Sequence, residues 1–387
     1  MEKHYTLLKA AELLGVTTQT LRNWDNAGKI LAVRTPGNQR RIPESEIVRL
    51  QSPKDSDIAK TTQKPQRIAA DIQEESEISK ESTVVLPTSA LKSNDNFLLM
   101  CKDTEVYVIA QDLVLDESLL PGCMLEKIMS FSQWMETRYS KDTNFSSQRL
   151  MQSTFGEYDN EHAAFATHAL SLSDCYWLKR EDEDIQYMDI SPYKTFDPLA
   201  NLFVSGKRDK RWIDAQTLLK VNSFTEIEPF TLCAALGLEN MAETRTTDEG
   251  IILNNFTSPD VFYESMEQFG IEGENANLRD IAIEYFKELA VALFVIDYLV
   301  ENNDRHPDDY GFLRSSTTGE YMSMAPYYNF DWIWSGEAVA LPETAWQGYS
   351  AYIHDLCRHA ISVAKDFEYG TIIERRANEL LQTLQTR

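Results

Sequence analysis

The segment ENNDRHPDDYGFL, residues 301–313, places several charged side chains directly after the apolar run ELAVALFVIDYLV. Such a run predicts a buried helix, which would hold the backbone of Asp304 rigidly. A rigidly held aspartate can accept a hydroxyl proton, and a side chain five residues later, here Asp309, can hold a magnesium ion. This spacing is typical of phosphotransferase catalytic loops. For the segment alone, a solvated turn with a local ion pair of Arg305 and an aspartate would be the better explanation.

Neighbouring segments favour the first interpretation. NNDRHPDDYGFL, followed by MAPYYNFD, resembles the HipA-like kinases, whose catalytic loop reads approximately NTDRHxxNFG and precedes a pair of strands that ends in APxFD. FVIDYLVENNDRH resembles the family's FDYLIxNTDRH, and KRWIDAQTLLKVNS resembles its strand with the nucleotide lysine. The resemblance covers roughly residues 165–335 and is strongest over 295–331.

The resemblance implies roles for single residues and implies ATP and Mg²⁺ as cofactors. Asp304 would be the catalytic aspartate, and Lys220 the lysine that contacts the ATP phosphates. Arg305 and His306 complete the catalytic loop, where they would hold its shape rather than transfer protons. Asp297 would bond backbone amides of the loop.

The metal-binding positions depart from the family pattern. Asp309 stands where the family has an asparagine, and Asn329 stands where it has the metal-binding aspartate. The exchange keeps one carboxylate and one carboxamide, and magnesium accepts oxygen ligands of both kinds. Asp331, on the same side of an extended strand, could supply a further carboxylate. The remaining alternative is a lost activity, with a nucleotide-binding or empty pseudokinase as the result.

The partner of Lys220 is less clearly indicated. Glu226 or Glu228 could pair with it as the helix glutamate of a kinase does, although the helix looks shortened and Pro229 would interrupt it. No glycine-rich phosphate loop is evident, because SGK at 205–207 lacks the earlier glycine of a P-loop.

The N-terminal segment YTLLKAAELLGVTTQTLRNWDNAGKI has an apolar helical face, then a glycine, a threonine cap and a second helical stretch. This pattern predicts a helix-turn-helix. KILAVRTPGNQRRIPESEIVRL then predicts a hairpin wing with a TPGN turn, and a final helix that Pro43 opens.

At RTPGNQRRI the segment resembles the winged-helix domains of the MerR and excisionase families, over residues 4 to about 50. The resemblance implies that the second helix enters the major groove of double-stranded DNA and that the wing grips the backbone. The implied groove contacts are Gln19, Thr20, Arg22 and Asn23, and the implied phosphate contacts are Arg34, Arg40 and Arg41. One such head reads few base pairs, so a homo-oligomer is expected. A protein-binding mini-domain is the alternative.

Charge is distributed unevenly along the chain, whose net charge is −24. Residues 1–52 carry 8 Lys and Arg against 5 Asp and Glu, whereas residues 96–387 carry 23 against 48. Residues 53–95 are polar, contain no aromatic residue and predict a flexible linker with a short helix near 68–78. A coiled coil is the alternative there, although its apolar spacing is irregular. Two parts with different partners explain the imbalance best.

The longest apolar run is too short to span a bilayer and no signal-like segment opens the chain, which predicts a cytoplasmic protein without a membrane partner. The five cysteines are scattered singly, which makes structural zinc and a disulfide framework improbable. We expect an α+β multidomain fold: a winged helix-turn-helix over 1–52, a linker over 53–95 and a two-lobed kinase-like domain over 96–387. Its N-lobe would cover about 96–245 and its C-lobe about 246–387.

Three functions fit these expectations. The first is a HipA-like serine/threonine protein kinase with a DNA-binding head, as a toxin or regulatory switch, acting on a protein substrate or on itself. The second is a DNA-binding regulator whose kinase-like domain is an inactive nucleotide sensor or oligomerisation module. The third, a recombination-associated factor, ranks lowest because no recombinase constellation is visible.

Overall fold

The structure is a computed structural model that describes residues 4–6, 9–10, 30, 33–34, 40–51, 96–139, 144–156, 160–204, 206, 208–269 and 277–387. Internal contacts divide the chain into two units, Met1–Ser79 and Lys80–Arg387. Both helices and sheets occur in the described ranges, so the predicted α+β class is confirmed. The domain and lobe boundaries stay predictions.

The first unit contains one antiparallel sheet in the order β1-β3-β2, formed by β1 His4–Thr6, β2 Val33–Arg34 and β3 Arg40–Pro43. The pairing of β2 with β3 is the predicted hairpin. Helix α1, Glu44–Gln51, begins directly after the hairpin, as predicted. Strand β1 was not predicted, because it pairs with a strand more than thirty residues away and its three residues carry no alternation that indicates a strand.

The second unit begins with an antiparallel sheet in the order β6-β5-β4-β7. Its strands are β4 Phe97–Cys101, β5 Thr104–Val108, β6 Leu113–Val114 and β7 Tyr176–Arg180. Between β6 and β7 the described residues form the helices α2 Gly122–Leu125, α3 Phe131–Tyr139, α4 Phe145–Phe155 and α5 Asn160–Ala166. The buried ring of Trp134 in α3 meets the ring of Tyr176 edge to face, at 5.4 Å between centroids. Helix α3 therefore packs against this sheet.

A second antiparallel sheet carries the predicted nucleotide lysine. Helix α6, Tyr187–Ile190, precedes it, and helix α7, Ile227–Ala235, lies between its second and third strands. The sheet has the order β10-β11-β9-β8, with β8 Lys210–Asp214, β9 Thr217–Val221, β10 Thr244–Thr246 and β11 Gly250–Asn254. Gly250 has a φ of 154°, and a Cβ there would come within 2.0 Å of the Lys220 carbonyl oxygen. Glycine thus permits the close pairing of β11 with β9.

The third sheet, in the order β12-β13-β14, consists of β12 Val261–Ser265, β13 Gly311–Ser315 and β14 Tyr321–Met324. The remaining helices are α8 Met266–Phe269, α9 Leu278–Phe286, α10 Glu288–Leu299, α11 Glu343–Val363 and α12 Gly370–Thr386. Every side chain from Ala290 to Ile296 in α10 is fully buried, and α9, α11 and α12 all contact this helix. The core therefore fixes the point from which the loop at 301–310 departs. No helix in the described ranges is both long enough and apolar enough to cross a membrane.

Candidate active site

The loop after α10 is held by a buried carboxylate. Asp297 accepts hydrogen bonds from Arg305 Nε at 2.9 Å, from Arg305 Nη2 at 2.8 Å and from Asn302 Nδ2 at 2.7 Å. The Asp297 carboxylate therefore bonds side chains, and the prediction that it bonds backbone amides of the loop is wrong. A buried aspartate requires a counter-charge, and the guanidinium fork supplies both charge and paired donors. Arg305 is thus placed to hold the loop, as expected.

Asp304 lies on the partly exposed side of this loop. Its Oδ1 is 3.1 Å from Nε2 of His306, and the His306 backbone N–H donates to Oδ2 of Asp309 over 3.1 Å. Pro307–Asp309 forms one 3-10 turn. The hydroxyl groups of Tyr263 and Tyr328 both donate to the Asp308 carbonyl, at 2.6 and 2.8 Å. These contacts fix the turn that carries Asp309.

Lys220 of β9 is the centre of a buried charge cluster. Its Nζ donates to Asn329 Oδ1 at 2.7 Å, to Asp331 Oδ1 at 2.6 Å and to a carboxylate oxygen of Glu226. An ammonium group has three donors, and all three are used. The side chain of Lys220 is 1% exposed.

Glu226, and not Glu228, is the glutamate that pairs with Lys220. The expectation that Pro229 interrupts the following helix is wrong, because α7 begins at Ile227 and Pro229 lies in its first turn. The first N–H groups of a helix have no partner within the helix, so a proline there costs no hydrogen bond. Glu226 can therefore stand just before the helix and reach the lysine.

Asn329 connects Lys220 to the catalytic loop. Its Oδ1 accepts from Lys220, and its Nδ2 donates to Asp309 Oδ1 over 2.8 Å. Asn329 and Asp331 reach the same amine and so face the same side, as expected, but the segment that carries them is irregular and not a strand. No group of three or more His, Cys, Asp or Glu side chains in the described ranges is arranged to hold a metal ion. Of the predicted magnesium ligands, Asn329 donates to Asp309, and Asn329 and Asp331 both accept from Lys220.

The electrostatics of the cluster follow from burial and from two lysines. Burial raises the pKa of Asp309 and of Glu226, although nearby cations offset part of the effect. Burial alone would also raise the pKa of Asp331, but Lys220 and Lys210 outweigh it and lower that pKa. Glu226 and Asp331 likewise outweigh burial at Lys220 and raise its pKa. The cluster therefore keeps Asp331 and Lys220 charged.

A continuous series of contacts runs from Asp304 to Lys220. It passes through the side chain and the backbone N–H of His306, then through Asp309 and Asn329. The structure thus brings together the loop residues and the lysine strand, which are more than eighty positions apart in the chain. Chemically, the arrangement offers a partly exposed carboxylate beside a buried group of oxygen ligands and cations.

A cavity of about 230 Å³ adjoins this cluster and was not predicted. Its lining includes Lys210, Trp212, Phe256, Tyr263, Asp308 and Tyr328. Lys210 pairs with Lys220 in the register of β8 with β9. The signal that could have revealed Lys210 is the segment KRWIDAQTLLKV, because a hairpin turn at AQ would bring its first and second lysines together.

The predicted DNA-contacting residues fall into two groups. Arg34 and Arg40 are paired opposite each other on β2 and β3, and Arg41 pairs with Val33. Gln19, Thr20, Arg22 and Asn23 lie outside the described residues, as do the predicted linker over 53–95, its short helix and its coiled-coil alternative.

Comparison with known proteins agrees with the resemblance predicted for the N-terminal segment. Residues 7–42 match the model of the MerR family regulatory protein. This segment is MerR-like. No curated protein matches the chain.

The chain is also similar to a solved structure described as "Shewanella oneidensis MR-1 Toxin Antitoxin System HipA, HipB and its operator DNA complex". The match covers 75% of this chain and 97% of that chain, at 13% identity and a TM-score of 0.44. HipA is the family that residues 295–331 resemble. At this distance the structural likeness supports no argument on function, which rests instead on the contacts described above.

Proposed function

We propose that this protein is an ATP-dependent serine/threonine protein kinase of the HipA-like type, joined to a DNA-binding head. The observation that carries the proposal is the series of contacts from Asp304 through His306, Asp309 and Asn329 to Lys220. These residues come from different elements of the fold and meet beside a cavity. Along the series, the base comes first, then the metal ligands and then the lysine, which is the order that a phosphotransfer site requires.

Each side chain has a role in this proposal. Asp304 accepts the proton of the attacking hydroxyl group, and Arg305 holds the loop through Asp297. His306 orients the Asp304 carboxylate through its ring nitrogen. Glu226 fixes the amine of Lys220 in place.

Asp309, Asn329 and Asp331 offer carboxylate and amide oxygens, and these are the types of ligand atom that a hard cation such as Mg²⁺ prefers. When bound with ATP, Mg²⁺ would neutralise charge on the phosphates. Lys220 and its partners would orient the nucleotide, and the turn at 307–309 would hold the ligand carboxylate still.

Phosphotransfer is tested with the full chain, Mg²⁺ and ATP labelled on the γ-phosphate, with label on the protein itself or on a generic protein acceptor as the measurement. We expect Asp304→Asn to reduce the rate by about 10²- to 10⁴-fold, the typical contribution of a positioned general base. Asp355→Asn, at a highly exposed aspartate, is the matched control and should leave the rate unchanged. An Asp304→Asn rate equal to that of the wild type contradicts the assignment.

A second function is favoured by one observation. All three donors of Lys220 are used within the protein, and Asn329 places an amide nitrogen against Asp309. A site closed in this way suits a nucleotide sensor or assembly module without phosphotransfer. In that case ATP binds or changes the oligomeric state, and no label reaches protein.

We further propose that the MerR-like segment binds double-stranded DNA through Gln19, Thr20, Arg22 and Asn23, with Arg34, Arg40 and Arg41 on phosphates, in a homo-oligomer. The excess of basic residues over 1–52 supports this role. Affinity for DNA falls as salt rises. Replacing Arg40 and Arg41 together by alanine should make the plot of log affinity against log salt shallower, by about two in its slope. Arg49→Ala, on α1, is the control. A slope that the double variant leaves unchanged would point to protein binding.

A further inference from the structure

We propose that Lys210, and not Lys220, supplies the cation that contacts the phosphate groups of a nucleotide bound in the cavity beside the site. The inference rests on the proposed function and changes one of its assignments. The lysine expected from the family resemblance would then be a structural anchor, and its strand neighbour the ligand contact.

Lys220 has no donor left for a ligand. Its three N–H bonds point to Glu226, Asn329 and Asp331, and the side chain is 1% exposed. A phosphate could reach this amine only if a buried hydrogen bond were first broken, which leaves a carboxylate or an amide unsatisfied. Lys220 is therefore well suited to hold its three partners in position.

Lys210 is in the opposite situation. Its side chain is 8% exposed and lines the cavity, but its amine makes no hydrogen bond or ion pair with any residue that the structure describes. A charged group that is buried without a partner destabilises the folded protein. Burial accordingly lowers the pKa of Lys210, and Asp331 compensates only in part. An anion from outside the chain would remove this cost.

The backbone next to Lys210 leaves room for its amine. Gly206 has a φ of 112°, and a Cβ at this position would lie 2.8 Å from Lys210 Nζ. Any other residue there would be strained and would push the amine away. Glycine at 206 thus lets the lysine end lie against the main chain at the edge of the cavity.

The other cavity walls suit the remainder of a nucleotide. Tyr263, Tyr328 and Phe256 line the cavity with aromatic rings. Asn255 and Thr257 also line it, and their polar side-chain atoms are bonded to Leu172 and to each other. Arg138 also lines it, but its guanidinium is paired with Asp174 at 2.6 Å. Lys210 is therefore the unpartnered cation of this cavity among the described residues.

The test compares binding of ATP and adenosine to the full chain by calorimetry. We expect Lys210→Met to weaken ATP binding by about 10- to 100-fold, the loss of one charge-assisted hydrogen bond. Adenosine affinity should stay within about twofold, because only the phosphates are affected. Lys210→Arg, which keeps the charge, should retain most of the ATP affinity.

Thermal unfolding of the same variants separates ligand binding from folding. Lys210→Met should unfold at the same temperature as the wild type or at a higher one, because it removes an unpaired buried charge. Lys220→Met should unfold at a lower temperature. If the wild type binds ATP and Lys210→Met binds it equally well, the inference is wrong and the proposed kinase function still stands. A wild type that binds neither ATP nor adenosine overturns both.

Discussion

Two buried charge clusters of the second unit differ in how completely they are satisfied. Arg314 donates to the carbonyl groups of Gly319, Leu120 and Ser118 and to the carboxylate of Glu264, at 2.6 to 3.0 Å. Three of these four partners are main-chain carbonyls, and Leu120 and Ser118 are distant in the chain, so this cluster joins separate parts of the fold.

The cluster around Lys220 is built almost entirely from side chains. Glu226 Oε1 is buried there without a hydrogen-bond partner, and the amine of Lys210 is unpartnered among the described residues. Unsatisfied buried side-chain atoms also occur elsewhere in the described ranges, among them Arg305 Nη1 and Trp334 Nε1. Buried polar groups are normally satisfied, and at Glu226 and Lys210 the incomplete contacts support the proposal that a ligand completes them. The contrast supports the proposal that the cluster of Arg314 and Glu264, here called the folding cluster, serves stability, and that the cluster around Lys220, here called the binding cluster, serves a ligand.

The largest effect we expect comes from the folding cluster. Arg314→Met should lower the free energy of unfolding by about 3–5 kcal/mol, because it leaves Glu264 and several carbonyl groups buried without their donor. Chemical denaturation measures the change. Arg387→Met, at a pair exposed on the surface, is the matched control and should have a far smaller effect.

The same change from a basic residue to methionine at position 210 is expected to be neutral or stabilising, so the two clusters should respond in opposite directions. An Arg314→Met protein as stable as the wild type would remove the distinction between them.

An intermediate effect is expected at the exchanged metal position. Asn329→Asp replaces the amide that donates to Asp309 by a second carboxylate, which should cost about 1–3 kcal/mol without metal. Mg²⁺ should restore that loss, because a divalent cation can bridge the two carboxylates where the amide had stood.

The measurement is the unfolding temperature with and without Mg²⁺, and Asn303→Asp, at an exposed position of the same loop, is the control. A Mg²⁺ response no larger in Asn329→Asp than in the control would mean that these oxygens do not form a metal site.

The sequence predicted the parts of the site that are local. Asp304, His306 and Asp309 lie in a span of six positions that follows an apolar helix, and this spacing together with the neighbouring segments predicted a loop with a fixed carboxylate. The helix was predicted from its apolar run, and the strand pair β13 and β14 was expected from the family resemblance. Local patterns carry this information because helix burial and hairpin formation depend on neighbouring residues.

The parts that were missed depend on distant pairing or on where an element begins. Lys210 lies beside Lys220 only through strand pairing, and the Asp297 contacts depend on how the loop folds back. The choice between Glu226 and Glu228 required the first residue of α7, and helix ends are the least certain feature of a sequence pattern. The sheet of β4 to β7 likewise pairs β4 with β7, whose paired residues run from Cys101 with Tyr176 to Phe97 with Arg180 and are therefore at least 75 positions apart.

The smallest effect concerns pH and tests whether the binding cluster is maintained at a cost to stability. Burial raises the pKa of Asp309 in the folded protein above its ordinary value of 3.8. The folded state then holds the proton more firmly than the unfolded state, so this group's contribution to stability is lost as pH rises through the folded pKa.

Asp309→Asn cannot titrate, so its free energy of unfolding relative to the wild type should increase as pH rises above the ordinary aspartate value and should level off once pH exceeds the folded pKa. The relevant quantity is this slope and not the absolute difference, since the amide also changes a hydrogen bond to Asn329 or His306 at every pH. Chemical denaturation across that range measures it, with Asp355→Asn as the exposed control. A difference that does not vary with pH would show that the burial of Asp309 does not lower the stability of the folded protein.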